Sequence, residues 1–173
     1  YERAKEDKKR ARALAKSKAG LSVEDEGATK SGNSNVINRR RHLVLVVQNQ
    51  TGLSNLFRLI SESYTEENFY RFPRIDYRLL KKYNEGIIAA SACLGGVYAG
   101  CLWENREQGD EAVLEAMREV TRKMMDIFGD RWYGELQWNN VPEQHQLNKY
   151  IIQMSKEFGF KLISTADSHY PNP

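Results

Sequence analysis

Between residues 42 and 165, short continuous apolar runs alternate with stretches in which apolar residues recur every three or four positions. The runs are "HLVLVV" (42–47), "GIIAAS" (86–91), "WYGELQW" (132–138) and "FKLIST" (160–165). The first, a continuous run rich in Val and Leu, predicts a buried strand of a parallel sheet, the second predicts another buried strand, and the last two predict a third and a fourth strand. Helical spacing appears in "TGLSNLFRLISESY", where Leu53, Leu56, Phe57, Ile60 and Tyr64 form a stripe and Thr51 is a candidate N-cap. A short helix is expected over "YRLLKKY" after the aromatic, basic loop "FYRFPRID". Residues 111–128 carry Val113, Met117, Val120 and Met124 on one face. Pro142 opens a last helix, with Leu147, Ile151, Met154 and Phe158 along one side. Strand, helix, strand, helix is the pattern of an α/β fold. Periodicity alone leaves an open doubly wound sheet and a barrel equally allowed.

The N-terminal segment differs. Residues 2–19 are strong helix formers with almost no apolar face, and residues 20–38 are rich in Gly, Ser and Asn and read as a flexible loop. Residues 1–41 hold twelve Lys/Arg against six Asp/Glu, whereas the remainder holds fourteen against seventeen. The net charge of +3 therefore comes from the N-terminal arm. Such an arm can contact phosphates or be a solvated face, and the second reading is the simpler.

Composition narrows the function classes. With 40% hydrophobic and 28% charged residues the chain is of ordinary globular type. No apolar run approaches the roughly 20 residues of a membrane span, and no signal-peptide pattern is present, so a cytoplasmic setting with no membrane partner is expected. Cys93 and Cys101 do not make a disulfide framework, and without CxxC a zinc ribbon is excluded. "LGG" at 94–96 lacks the Lys-Ser/Thr of a phosphate loop, and no G-x-S-x-G elbow occurs.

Candidate chemistry gathers where parallel α/β folds place it, at the ends of strands. Cys93 follows the second run, Asn139 and Asn140 the third, Asp167 and His169 the fourth. His42 opens the first run, which in a parallel sheet would put it at the opposite end. Asp, His and Cys are ligands for zinc, iron or manganese. Taken singly, each has a plainer reading. D-x-H suits a turn whose Asp caps backbone amides. A lone Cys93 suits a small buried hydrophobe. His42 suits a satisfied histidine, His145 a solvated helix face, and Cys101, beside Leu102 and Trp103, simple packing.

Three strings change that balance: "HLVLVVQNQTGLSNLFRLISESY", "FYRFPRIDYRLLKKYNEGIIAASACLGG" and "FGDRWYGELQWNNVPEQHQLNKYIIQMSKEFGFKLISTADSHY". In order and spacing the chain from about residue 40 resembles the polymerase-and-histidinol-phosphatase (PHP) domain of bacterial DNA polymerase III alpha subunits. The resemblance implies a seven-stranded (β/α) barrel-like fold, incomplete at its N-terminus, with residues 42–173 as its C-terminal two-thirds. Residues 1–41 then form a basic helix and flexible insertion within the domain. The family's opening H-x-H and Asp-His motifs would lie before Tyr1, and its palm aspartates after Pro173, so an internal piece of a longer polymerase is expected.

The resemblance also implies metal ligands at His42, Cys93, Asp167 and His169, binding Zn, Mn or Fe. The family often carries a His where Asn139 stands, which makes Asn139 a weak metal position. Partners implied for the whole protein are DNA and deoxynucleotides, with Mg at its polymerase site, a sliding clamp and a proofreading subunit. Three functions fit: a polymerase segment with metal-dependent 3′-5′ exonuclease work, a stand-alone PHP phosphoesterase, and a non-catalytic scaffold. The piece alone is expected to be inactive.

Overall fold

The computed structural model describes residues 40–69 and 72–168. The expected helix at 2–19, the loop at 20–38 and His169 lie outside the described residues.

The described residues form four strands, β1 (Val44–Val47), β2 (Ile87–Ala90), β3 (Trp132–Gln137) and β4 (Lys161–Thr165), in the spatial order β1-β2-β3-β4. The helices are α1 (Gln50–Ser63), α2 (Tyr77–Lys82), α3 (Val97–Asn105), α4 (Asp110–Phe128) and α5 (Pro142–Phe158). Strands β2, β3 and β4 run parallel, with Ala90 opposite Tyr133 and Glu135 opposite Ile163. The expectation of a wholly parallel sheet fails at β1, which is antiparallel to β2, with Val44 opposite Ala90 and Val47 opposite Ile87. Nor is β1 buried on both faces: Val44 and Val46 are exposed while Leu45 and Val47 are half-buried. An apolar run bounded by polar residues does not encode strand direction, and here it belongs to the outermost of the described strands, with one face partly covered.

The turn from β1 into α1 is made by close backbone approach. A Cβ on Gly52 would stand 1.9 Å from the Gly86 carbonyl oxygen, so only glycine lets the first turn of α1 lie against the chain entering β2. The N-cap is Asn49, not the expected Thr51: its side-chain oxygen accepts the Gly52 N–H at 2.9 Å. We expect Asn49→Ala to cost about 1 kcal/mol, read as a shift in urea midpoint. The buried face of α1 is Gly52, Leu59 and Ser63, whereas Phe57, Ile60 and Tyr64 of the expected stripe are exposed. Asp76 caps α2 by accepting the Leu79 N–H at 2.8 Å.

Helices α3, α4 and α5 cover the face of the sheet that carries Ala89, Trp132, Gly134 and Leu136. The expected stripes of α4 and α5 are buried there through Val113, Met117, Met124, Leu147, Ile151 and Met154. At the centre, Trp132 meets Tyr98 edge-on at 5.7 Å and Phe160 at 6.4 Å between ring centroids. The Trp132 Nε1–H donates to the Tyr98 hydroxyl at 3.2 Å, and that oxygen lies 2.7 Å from Thr121 Oγ1.

Cys101, inside α3, is buried in this layer. Burial first, then the nearby Glu104 carboxylate, push its thiol from the usual 9.0 up to about 12. The folded state therefore holds the proton more tightly than the unfolded chain. Its contribution to stability is full below pH 9 and is lost as pH rises towards about 12. Between pH 8 and 11 we expect urea midpoints to fall less steeply for Cys101→Ala than for the unaltered protein.

A candidate metal centre at the open end of the sheet

The antiparallel direction of β1 corrects the placement of His42. Because β1 runs against β2, its beginning lies at the end where β2 finishes. His42 forms a bridge with Gly96, and its N–H donates to the Gly95 carbonyl at 2.9 Å. The His42 ring then reaches Cys93, with Nδ1 3.5 Å from Sγ. Residues 51 apart in sequence are thereby joined at the mouth of the sheet.

The segment Ser91–Gly96 is built for this contact. Ala92 has a positive φ of 62°, uncommon for a residue with a side chain, and turns the chain sharply after β2. The Gly95 N–H points at Cys93 Sγ at 3.4 Å, and the Gly96 N–H donates to the Cys93 carbonyl at 2.7 Å. A Cβ on Gly95 would stand 2.9 Å from His42 Nδ1, and one on Gly96 would stand 2.1 Å from the Ser91 carbonyl oxygen. Before His42, the Arg41 side chain lies on Gly100 and its guanidinium pairs with Glu104. The chain entering the site is thus tied to α3.

An imidazole nitrogen and a thiol sulfur at this separation suit one metal ion. Zinc–nitrogen bonds of about 2.05 Å and zinc–sulfur bonds of about 2.3 Å, at the tetrahedral angle, put the two donors about 3.5 Å apart. His42 is exposed and Cys93 half-buried, so an ion would be reached from solvent.

Asn139 and Asp167 follow the ends of the neighbouring strands β3 and β4. Asp167 also has a positive φ, 52°, so among the described residues the two non-glycine residues with this backbone, Ala92 and Asp167, both lie in segments that follow strands and hold candidate ligands. Asn139 Oδ1 is buried with no hydrogen-bond partner among the described residues. Described residues alone do not bring three His, Cys, Asp or Glu side chains together as a metal cluster. They join His42 to Cys93 and set Asn139 and Asp167 at the same end of the sheet. His145 is exposed on α5, as expected.

Sequence reasoning passed over Glu135. It is buried in β3, and its Oε1 accepts from Thr165 Oγ1 at 2.6 Å and from Gln137 Nε2 at 3.1 Å. Its backbone N–H donates to Ser91 Oγ at 2.9 Å. These bonds lock the ends of β2, β3 and β4 together two residues below Cys93 and Asp167. The signal was a carboxylate flanked by Gly134 and Leu136 inside the expected strand "WYGELQW".

The family model described as "PHP domain" matches residues 1–139. The chain belongs to the PHP domain family. DNA polymerase III subunit alpha of Aquifex aeolicus is 43% identical over 148 residues, which is 84% of this chain and 12% of that protein. The subunit of Helicobacter pylori (strain ATCC 700392 / 26695) is 40% identical over 139 residues, 78% of this chain and 11% of the relative. That of Thermus aquaticus is 36% identical over 129 residues, 75% of this chain and 10% of the relative. The PHP domain chain thus spans about a tenth of the length of the curated relatives it matches. Among its described residues, no helix is long and apolar enough to cross a membrane.

Proposed function

We propose that this PHP domain serves a replicative DNA polymerase of the bacterial polymerase III alpha kind and carries a metal-dependent phosphodiesterase site. The observation that supports the polymerase reading is the 43% identity over 148 residues to a DNA polymerase III subunit alpha. On this reading the four strands are part of a seven-stranded (β/α) barrel, and the whole protein works in the cytoplasm. It acts on DNA and deoxynucleotides with Mg at a polymerase site outside this chain, and engages a sliding clamp and a proofreading subunit.

His42 Nδ1, Cys93 Sγ, the Asp167 carboxylate and His169 are the proposed ligands of Zn, Mn or Fe, with Asn139 a weaker one. A bound ion of this kind supplies a water acidic enough to act as a nucleophile near neutral pH and a positive charge for a phosphodiester oxygen. The chain's own part is to fix the donors. Gly95 and the Ala92 turn aim Cys93 at His42, the Arg41–Glu104 pair holds the strand that bears His42, and Thr165–Glu135 braces the strand leading to Asp167.

The test is primer extension and 3′-5′ digestion by the full-length protein, with and without His42→Ala plus Cys93→Ala. Template-directed extension retained in the variant, with digestion lost, is the expected result. No extension by the unaltered protein would remove the polymerase reading. Extension without metal-dependent digestion would leave a scaffold.

A further inference from the structure

Two exposed arginines next to the His42–Cys93 contact lie over aromatic rings. The guanidinium carbon of Arg40 is 3.8 Å from the centre of the Phe72 ring, and that of Arg106 is 5.3 Å from the Trp103 ring. Both rings are themselves exposed, Phe72 at 49% and Trp103 at 38%. Each pair is tied to one partner of the contact. Arg40 precedes His42 by two residues. Arg41, between them, reaches Gly100 and Glu104 of α3, so in the alternation of an extended chain Arg40 and His42 share the other side. Trp103 is fixed to the loop that holds Cys93: its Nε1–H donates to the Leu94 carbonyl at 2.9 Å. One guanidinium–aromatic pair therefore stands beside His42 and the other beside Cys93.

Neither arginine has a carboxylate partner among the described residues, whereas Arg41, Arg118 and Arg122 each have one. A guanidinium held over a ring keeps its N–H edges for an anion and its outer plane for a second flat group. Phe72 belongs to the aromatic, basic stretch 69–76, whose Phe69, Phe72 and Ile75 are all exposed, so the core does not account for it. We propose that the Arg40–Phe72 and Trp103–Arg106 pairs hold a single strand of DNA at the entrance to the site. Unpaired bases stack on the two pairs, and the arginine N–H groups take backbone phosphates. A paired base keeps its faces inside the duplex, so a surface of this kind selects a single strand or a frayed end. The inference rests on the phosphodiesterase reading of the His42–Cys93 site and names the form of substrate that reaches it.

The experiment is photocrosslinking of the full-length protein to a single-stranded oligonucleotide carrying 5-iododeoxyuridine, with chelator present so that nothing is digested. Mass spectrometry then locates the crosslinked residues. Crosslinks at Phe72 and Trp103 are expected, and an unlabelled single strand should compete for them better than a blunt duplex of the same length. Arg40→Ala plus Arg106→Ala should lower the yield at both rings about tenfold or more. All four side chains are exposed, so the core is untouched. The same variant should raise KM for 3′-5′ digestion of a single strand and leave kcat nearly unchanged, whereas His42→Ala plus Cys93→Ala should abolish digestion and keep the crosslinks. No crosslink at either ring, or an equal yield in the arginine variant, would overturn the proposal. Digestion without these crosslinks would remove the strand-holding surface and keep the phosphodiesterase reading. Crosslinks at both rings in a protein that digests nothing would support the surface and remove that reading.

Discussion

Cys93→Ser and His42→Ala should each lower zinc affinity of the full-length protein by at least about a hundredfold, more than the loss of a residue that only supports a ligand. The thiolate is the stronger donor of the pair, and serine does not replace it for a zinc-like ion. His42 is exposed, so its removal leaves no cavity and should barely move the melting temperature. Gly95→Ala offers a second test without touching a donor. The new methyl would press on His42 Nδ1 from 2.9 Å, and affinity should fall as the ring is displaced. Cys101→Ser should leave zinc binding unchanged, since that thiol is buried in the helical layer. Equilibrium competition with a chromophoric chelator reads all four. Equal affinity in Cys93→Ser and the unaltered protein would count against sulfur ligation.

Trp132→Ala should be the most damaging single change to the fold, by about 3–5 kcal/mol. Trp132 is fully buried at the start of β3 and packs against Tyr98 and Phe160. Truncation leaves a cavity bounded by β3, α3 and the segment before β4. It also takes away the indole N–H that donates to the Tyr98 hydroxyl. That hydroxyl keeps Thr121, and burial already drives its pKa up to about 12, so it stays neutral and under-bonded. Urea unfolding followed by circular dichroism gives the number. A loss below about 1 kcal/mol would mean that this aromatic cluster is not the core of the domain.

Among the described residues the sequence pattern located the four strands to within two residues, because each centres on a short stretch of apolar residues between polar breaks. The stripes of α4 and α5 were legible for the same reason: Val113, Met117, Met124, Leu147, Ile151 and Met154 are all buried. The direction of β1 was not legible, since hydrophobicity does not depend on which way a strand runs. That one unknown made His42 look misplaced. Once β1 is antiparallel, His42 sits beside Cys93. The face of α1 was misread because its closest packing is made by Gly52, which carries no hydrophobic signal, and not by Phe57 or Ile60. Helix α3 escaped notice because "VYAGCLWEN" is buried along most of its length and shows little periodicity. Glu135 was hidden by the strand pattern itself. Its role depends on Thr165 and Ser91, which reach it from neighbouring strands.

The account rests on His42 and Cys93 sharing one ion at the mouth of the sheet. X-ray absorption at the zinc K-edge of the zinc-loaded full-length protein tests this most directly. One sulfur neighbour at about 2.3 Å, with nitrogen or oxygen neighbours at about 2.0–2.1 Å, is the expected first shell, and the sulfur should vanish in Cys93→Ser. A shell of nitrogen and oxygen alone in the unaltered protein would contradict the account and leave the His42–Cys93 contact as an ordinary hydrogen bond.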